Sequence, residues 1–178
     1  MSAANAPALR ELWGPPGQIG YVVTDLEAAA RRWTDTIGIG PWRMFEPAPI
    51  TSFMYNGEPS DVEVGIAMAY MGDMQIELIQ QYNDAPSMYL EQLNTYGEGA
   101  QHVCFYPSDY EAALAAAVNA GMTIGQEGEV WGVHFAYARG DGGRVIEFAE
   151  ISDQMRAGRT AMVERDATWD GTDPVRRS

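Results

Sequence analysis

Polar and apolar residues alternate in two short segments that each run directly into a helical pattern. The first segment covers residues 18–23 and the second covers 101–106, and apolar residues at helical spacing follow each of them. Thr24 and Ser108 each stand three residues before a glutamate, which predicts a capping box at the start of each helix. These two residues lie 84 positions apart, as do their neighbours in the two segments, so the pattern indicates a duplicated unit.

Further strand patterns complete each unit. The strands predicted after the two helices cover 42–45, 61–70 and 74–80 in the first unit and 122–126, 130–138 and 144–150 in the second. Residues 47–60 are rich in proline, glycine and polar residues, which predicts a loop. Each unit therefore has the order βαβββ, over about 18–81 and 102–150, and a helix over about 84–96 links them. We predict an α+β fold in which residues 1–178 form one domain, and the two βαβββ modules build a curved mixed sheet, a cup with its helices outside.

The two ends of the chain carry weaker patterns. Residues 1–16 are mixed in character and lead into a glycine and proline cluster before the first strand. Residues 152–178 predict a short helix and then a polar tail that holds Trp169. We expect this tail to pack on the surface of the domain or of a partner.

Composition and charge narrow the class of protein. The chain has 178 residues, of which 46% are apolar and 20% are charged, and these values are typical of a globular protein. Its net charge of −14 argues against nucleic acid or an anionic membrane as a partner. The single cysteine, Cys104, excludes an internal disulfide and fits a reducing compartment. No signal peptide or membrane-spanning run of about 18 apolar residues is visible, so we expect a cytoplasmic protein.

Four polar residues in apolar strand settings form a candidate metal site: Gln18, Glu77, His102 and Glu147. A carboxylate flanked by isoleucine and leucine or phenylalanine is costly to bury unless it is paired, protonated or coordinated. Taken singly, such a glutamate commonly faces solvent and such a histidine is commonly a hydrogen-bonded core residue. Together, at matching places of a duplicated unit, they favour one divalent metal ion: zinc, nickel, cobalt or manganese. Coordination positions left open for substrate would make this a catalytic site.

On these residues the chain resembles the vicinal oxygen chelate superfamily, which includes glyoxalase I, methylmalonyl-CoA epimerase and extradiol dioxygenases. The segments that carry the resemblance are Gln18 with 23–29, 76–78, 99–103 and 145–148. The resemblance spans residues 18–150, nearly all of the predicted fold. It implies paired modules forming an open cup around one divalent metal, with Gln18, Glu77, His102 and Glu147 at the ligand positions.

Departures from the relatives' patterns point to one branch of this superfamily. Val22 stands where similar glyoxalase I enzymes carry an arginine that binds glutathione, which argues against glutathione chemistry. Gln18 replaces the first histidine of the extradiol dioxygenases. Asp61 aligns with an acidic residue that acts as a base in the epimerase pattern. The chain is therefore most similar to the epimerase-like glyoxalase branch.

The chemistry that the resemblance implies is proton transfer next to a carbonyl that the metal polarises, through an enolate. Glu147 on one side and Asp61 on the other, with Glu63 as a substitute, are the candidate acid and base. A solvated strand end is an equally good interpretation of Asp61 and Glu63. Six residues are candidates for the wall of a substrate pocket: Trp42, Phe53, Tyr55, Tyr70, Trp131 and His134. The register of the turn at 140–143 leaves open whether His134 faces the site or the helices.

The predicted function is that of a metal-dependent isomerase, epimerase or lyase acting on a small-molecule carbonyl substrate that is apolar or aromatic. The alternative is a non-catalytic ligand-binding protein of the bleomycin-resistance type, and a further alternative is a ring-cleaving dioxygenase. The four-ligand set favours the enzyme, because sequestration of a ligand has no need of it. An uncovered sheet edge is a liability, so we also expect a two-fold homodimer.

Overall fold

A computed structural model of the protein describes residues 6–177. Five helices and eleven strands follow one another in this part of the chain. In order, they are α1 (Ala6–Trp13), β1 (Pro16–Val22), α2 (Leu26–Ile37), β2 (Trp42–Phe45), β3 (Ile50–Tyr55), β4 (Glu58–Pro59), β5 (Val64–Met71), β6 (Met74–Gln81), α3 (Met88–Tyr96), β7 (Gly99–Phe105), α4 (Tyr110–Asn119), β8 (Thr123–Val130), β9 (Val133–Arg139), β10 (Val145–Ala149), α5 (Asp153–Asp166) and β11 (Val175–Arg177). Within residues 6–177, no helix is both long enough and apolar enough to cross a membrane.

All eleven strands belong to one mixed sheet, in the order β11-β2-β5-β6-β1-β7-β10-β9-β8-β3-β4. The first strands of the two predicted modules, β1 and β7, lie side by side and antiparallel. β6 pairs in parallel with β1, and β10 pairs in parallel with β7, so the two halves of the sheet repeat one arrangement. The predicted α+β fold with a curved mixed sheet is confirmed, whereas the bounds of the two modules remain a prediction.

Helices cover the outer face of the sheet through small and apolar side chains. In α2, Leu26, Ala29 and Ala30 are buried against Ile76 and Leu78 of β6. In α4, two alanines are buried against apolar residues of β9 and β10 in the same way. Successive strand residues point to opposite faces, so the residues that alternate with these point to the inner face. The candidate site lies on that inner face.

The two predicted capping boxes were wrong by one residue. The N-caps are Asp25 and Asp109, and each carboxylate accepts a hydrogen bond from the backbone amide three residues later. Thr24 instead donates from its amide and its hydroxyl to Glu98, at 2.6 and 2.5 Å. Asp, Ser and Thr are all good N-caps, so the sequence alone does not choose between neighbouring residues, and at the first helix Glu98 engages Thr24.

The predicted loop over 47–60 was also wrong, because it contains β3 and β4. Asn56 and Gly57, with φ of 50° and 82°, form the tight turn of this hairpin, which is the turn that an Asn-Gly pair favours. β3 pairs with β8, so this hairpin extends the half of the sheet built by the second module. β5 begins at Val64, three residues later than predicted.

The N-terminal end forms a helix and the C-terminal end forms a strand that the sequence patterns did not predict, whereas the short helix predicted after residue 152 is α5. In the predicted irregular segment 1–16, of which residues 1–5 lie outside the described part, the chain forms α1. The tail packs on the chain's own sheet: β11 pairs in parallel with β2. Arg43 of β2 donates two hydrogen bonds, of 2.9 and 2.8 Å, to Asp166 at the end of α5. The six-membered ring of Trp169 lies so close to Gly40 that a Cβ there would approach it to 2.7 Å.

Candidate metal centre

Three ionisable side chains meet on the inner face of the sheet. Glu77 lies on β6, His102 on β7 and Glu147 on β10, and they are 7%, 3% and 7% exposed. The atoms that they offer as ligands all lie within 4.8 Å of one another. His102 Nε2 is 3.0 Å from Glu147 Oε2 and 3.6 Å from Glu77 Oε2. The sheet therefore brings together three of the four residues singled out as metal ligands.

A glycine in the strand between them makes room for the histidine ring. Gly20 of β1 is paired with Glu77 on one side and with His102 on the other. A Cβ at this position would lie 1.8 Å from His102 Cε1, far inside any tolerable contact. The ring therefore lies directly over the backbone of β1, which only a glycine at residue 20 permits.

A hydrogen bond to Gln101 determines which nitrogen of His102 carries the proton. The Gln101 amide group donates to the carbonyl oxygen of Met88 at 3.0 Å, so its own oxygen points the other way. That oxygen lies 3.0 Å from His102 Nδ1. Because a carboxamide oxygen can only accept, Nδ1 is the donor, and in the neutral imidazole Nε2 is then the nitrogen that carries the lone pair. The lone pair is directed toward the two carboxylates.

This arrangement fits a divalent metal ion better than a hydrogen-bonded cluster. Among the described residues, His102 Nε2 and Glu147 Oε2 are buried and have no hydrogen-bond partner, although 3.0 Å separates them. Two lone pairs that face each other repel unless a cation lies between them. Burial, and then the negative charge of Glu147, raise the pKa of Glu77 well above its usual value. A divalent cation would offset the lone-pair repulsion and the cost of two buried carboxylates, and the Nδ1 hydrogen bond is typical of metal-binding histidines.

Tyrosine side chains enclose the cluster on its deep side. Tyr137 packs edge-on against the ring of His102, with 4.8 Å between the ring centroids. The hydroxyl groups of Tyr137 and Tyr89 lie 3.2 Å apart and are hydrogen-bonded. Burial raises the pKa of both phenols, so they are neutral at physiological pH. They exclude water from this side and add no charge.

The fourth predicted ligand, Gln18, lies beside the cluster in a network of polar side chains. Its amide group donates to Gln75 Oε1 at 3.0 Å. Gln75 in turn donates to the hydroxyl of Tyr70 at 2.9 Å. Gln75 Oε1 also accepts from Arg159 at 3.1 Å. These bonds orient the Gln18 amide and leave its carbonyl oxygen without a donor among the described residues, so that oxygen is available as a ligand.

A cavity of about 260 Å³ opens next to the cluster. Gln18, Glu77 and Glu147 reach its wall, and most of the remaining wall is apolar or aromatic. Helix α5 closes one side of it. The other residues that line it are Phe45, Met68, Tyr70, Gln75, Tyr106, Val130, Trp131, Val133, His134, Phe135, Ala149, Glu150, Ile151, Met155, Gly158, Arg159 and Met162. The candidate ligands therefore adjoin a space with room for a small, largely apolar molecule.

Three of the six predicted pocket residues border this cavity: Tyr70, Trp131 and His134. The indole of Trp131 packs edge-on against Phe45, with 5.0 Å between the centroids. His134 lies at the rim and is exposed. Its ring stacks on Tyr110 of α4 at a centroid distance of 6.5 Å, so it points to the helix side of the strand.

The other three predicted pocket residues lie away from the cavity. Trp42 is fully buried on the outer face, where its indole nitrogen donates to Thr34 of α2 at 3.2 Å. Phe53 packs in the core on β3, which was predicted to be a loop. Tyr55, at the end of the same strand, donates its hydroxyl to Glu91 at 2.5 Å. The alternation of β2 explains the first case, because Phe45 faces the cavity and Trp42 faces α2.

Asp61 and Glu63, the candidate bases, are exposed and do not line the cavity. They stand before β5, because that strand begins only at Val64. The backbone of this segment is held by Asn83, which donates to the Asp61 carbonyl at 2.7 Å. The structure therefore corrects the expectation that either residue lies opposite Glu147.

Several cavity residues were not singled out from the sequence. Gln75 and Gly20 carried a usable signal, because each lies two residues from a predicted ligand on the same strand face. Tyr106 lies four residues after His102 on the chain. Arg159 carried no such signal, because it belongs to a polar helix outside the duplicated pattern.

Comparisons with known proteins identify a family and structures with a similar fold. A sequence model of the glyoxalase/bleomycin resistance protein/dioxygenase superfamily matches residues 17–140. The methylmalonyl-CoA epimerase of Mycobacterium tuberculosis has a similar structure, with a TM-score of 0.56 and 18% identity over 83% of this chain and 94% of that one. A hypothetical protein from Bacillus halodurans also has a TM-score of 0.56 and 18% identity, over 79% of this chain and 96% of that one.

A third similar structure is a methylmalonyl-CoA epimerase variant from Streptomyces coelicolor in complex with 2-nitronate-propionyl-CoA. It has a TM-score of 0.54 and 19% identity, over 77% of this chain and 96% of that one. At this identity the likeness shows the fold alone. None of the curated proteins is similar enough in sequence to be matched.

Proposed function

Because the chain belongs to the glyoxalase/bleomycin resistance protein/dioxygenase superfamily, we propose that it is a metal-dependent isomerase, epimerase or lyase. Its reaction is proton transfer at the carbon next to the carbonyl group of a small molecule. The observation that carries this proposal is the buried cluster of Glu77, His102 and Glu147, in which the bare Nε2 of His102 faces two carboxylates. Such a cluster suits a cation and adjoins a cavity for a ligand.

The proposed roles follow from where each side chain lies. Glu77, His102 and Glu147 hold the metal, and the oxygen of Gln18 is the fourth donor. A divalent ion in such a site polarises a carbonyl oxygen and lowers the cost of the negative charge that develops on it. Gln75 and Tyr70 hold Gln18 in position through the hydrogen bonds described above.

Glu147 is the residue to which we assign the proton transfer. It reaches the cavity wall, and no described residue forms a hydrogen bond with its Oε2 that would compete for a proton. Asp61 and Glu63 are exposed and do not line the cavity, so we assign them no part in the proton transfer. Besides Glu77 and Glu147, the described residues of the cavity wall include one more carboxylate, that of Glu150. Its Oε2 accepts a hydrogen bond from the amide of His134 at 2.9 Å. The geometry thus favours one carboxylate that removes and returns the proton.

The test is exchange of the α-proton of carbonyl compounds for deuterium. Zinc-loaded protein is incubated in deuterated water with a panel of aryl ketones and oxo acids, and proton NMR follows the loss of the signal next to the carbonyl. Exchange with at least one compound is expected. Glu147→Gln should slow it by about 10²–10⁴-fold, because the general base is lost.

Asp61→Asn is the matched control, since it removes a carboxylate that lies outside the cavity. It should leave the exchange rate unchanged. If Asp61→Asn abolishes exchange and Glu147→Gln does not, the assignment of the base is wrong. A protein that binds these compounds tightly, without metal and without exchange, would instead be a binding protein of the bleomycin-resistance type. Incorporation of oxygen into the ligand would indicate a dioxygenase.

A further inference from the structure

Helix α5 contributes one face to the cavity next to the metal cluster. Met155, Gly158, Arg159 and Met162 line the cavity, and their spacing places them on the same side of the helix. This helix lies beyond residues 17–140, which the superfamily's sequence model matches. The part of the cavity wall that α5 provides therefore comes from outside the segment that the superfamily's sequence model matches.

Hydrogen bonds hold the guanidinium of Arg159 in one orientation. Its Nη1 donates to Gln75 Oε1 and to the hydroxyl of Tyr106, both at 3.1 Å. Its Nη2 donates to the carbonyl oxygen of Gly17 at 2.9 Å. The guanidinium carbon lies 4.6 Å from the centroid of the Tyr106 ring. Gln75 links this group directly to Gln18, so the arginine lies close to the candidate metal ligands.

Two of the five N–H groups of Arg159 remain available. The three hydrogen bonds use both protons of Nη1 and one of Nη2, and no described residue accepts from Nε or from the second proton of Nη2. Nε and Nη2 form one edge of the planar guanidinium, which matches the two oxygens of a carboxylate. The arginine thus has a fixed position and two unused N–H groups, on Nε and Nη2, that can donate to a carboxylate of a ligand.

The charges around the cavity favour an anion at this place. A divalent ion held by Glu77 and Glu147 would balance their two negative charges. Of the described residues that line the cavity, Arg159 is the single arginine, and the sequence contains no lysine. Glu150 lies on the wall as well, but its carboxylate is engaged by the amide of His134. In a chain of net charge −14, this one cation is the feature of the cavity that attracts a negative group.

We propose that Arg159 is a specificity-determining residue that binds a carboxylate of the substrate. The substrate class is then a carbonyl compound with an apolar or aromatic body and a carboxylate at one end. Phe45, Trp131, Met155 and Met162 provide the wall for the apolar body. This inference rests on the proposed function, because it assumes that the carbonyl group lies at the metal cluster.

The experiment compares a carboxylate probe with a neutral one of the same shape. Isothermal titration calorimetry measures the binding of 4-oxo-4-phenylbutanoate and of its primary amide to the zinc-loaded protein. The acid should bind roughly 10- to 100-fold more tightly, because a hydrogen-bonded pair with a charged group has about that effect. In Arg159→Met the two probes should bind with nearly equal affinity.

Two further variants separate recognition from a merely structural role. Arg156→Met removes the same charge from an exposed position of α5 and should preserve the preference for the acid. Arg159→Lys retains the positive charge but not the planar guanidinium, so part of the preference for the acid over the amide should remain. This variant also decides the matter if Arg159→Met does not fold, because a full preference in the lysine variant would overturn bidentate binding.

The outcomes distinguish this inference from the proposed function. If acid and amide bind equally to the unsubstituted protein, or if Arg159→Met keeps the preference, the role of Arg159 is wrong and the deuterium-exchange result is untouched. If neither probe binds zinc-loaded protein and no carbonyl compound exchanges, the proposed function fails and this inference fails with it.

Discussion

Adding one methyl group to β1 is expected to disable the metal cluster. In Gly20→Ala, the new Cβ would lie 1.8 Å from His102 Cε1, 2.3 Å from Nε2 and 2.4 Å from Nδ1. Ordinary contacts begin at 3.4 Å, so the ring has to retreat by about 1.6 Å. Metal–ligand distances tolerate deviations of only about 0.2 Å. A ring displaced this far no longer holds Nε2 beside Glu77 and Glu147, and the Nδ1 bond to Gln101 is lost as well.

The same substitution should also destabilise the metal-free protein, by an amount that depends on His102. Overpacking of this kind costs about 1–3 kcal/mol. In a His102→Ala background these three contacts with the imidazole ring are absent, and alanine in place of a strand glycine is then expected to stabilise by roughly 0.5–1 kcal/mol. The two substitutions should therefore show a coupling energy of roughly 1.5–4 kcal/mol in a double-mutant cycle.

Urea denaturation in the presence of EDTA measures the free energy of unfolding of the unsubstituted protein, the two single variants and the double variant. Competitive titration measures their affinities for zinc. Gly20→Ala should lose more than about 100-fold in zinc affinity, since loss of outer hydrogen bonds alone costs 10–100-fold. Gly158→Ala is the matched control, because an added Cβ at that position meets no atom within 4 Å. Gly20→Ala with unchanged zinc affinity, or with the same cost in both backgrounds, would refute the reasoning.

Three more predictions follow from other contacts. Glu77→Gln should raise the free energy of unfolding of the metal-free protein by about 1 kcal/mol, because it removes a buried charge next to Glu147. It should also weaken zinc binding. A lower free energy of unfolding in urea denaturation would contradict this. Arg43→Met should destabilise by about 1–3 kcal/mol, since Asp166, whose side chain is 4% exposed, loses its two short hydrogen bonds and keeps only a 3.5 Å contact with Arg165. An unchanged denaturation midpoint would contradict a stabilising role of the Arg43–Asp166 pair. Light scattering at micromolar concentration should show the expected homodimer, and a monomer would count against it.

The convergence of Glu77, His102 and Glu147 could be predicted because its signal is local. Glu77 and Glu147 each interrupt an apolar run on a strand that is buried on both faces, so their burial follows from their neighbours. His102 occupies the position in β7 that corresponds to Gln18 in β1, 84 residues earlier. The distances between these strands do not follow from the sequence pattern. The need for glycine at residue 20 does not follow from it either, because it depends on the ring of His102 lying over the backbone of β1.

The errors share a physical cause, which is competition between long-range contacts and local preference. Thr24 is a good N-cap by sequence, but Glu98 engages it from 74 residues away. Residues 47–60 contain prolines and glycines that favour a loop, but β8 provides a partner strand with which β3 of this hairpin pairs. The expected homodimer is not one of these errors and stays a prediction. It rested on uncovered sheet edges, and the described edges are the two-residue strand β4 and the three-residue strand β11. Strands this short present few unpaired groups, so a homodimer would have to use another surface.

Helix α5 could not be placed from its sequence because polar contacts, not burial, hold it. None of its residues is fully buried, so hydrophobic periodicity carries no information about its face. Arg159 in its middle and Asp166 at its end attach it to Gly17 and Arg43, which lie far away in the sequence. The candidate ligands thus come from the repeated strands, whereas the charged part of the cavity wall comes from the segment outside them. A change in α5 should therefore alter which carbonyl compound binds and leave metal binding in place, whereas a change in β1, β6, β7 or β10 should remove both.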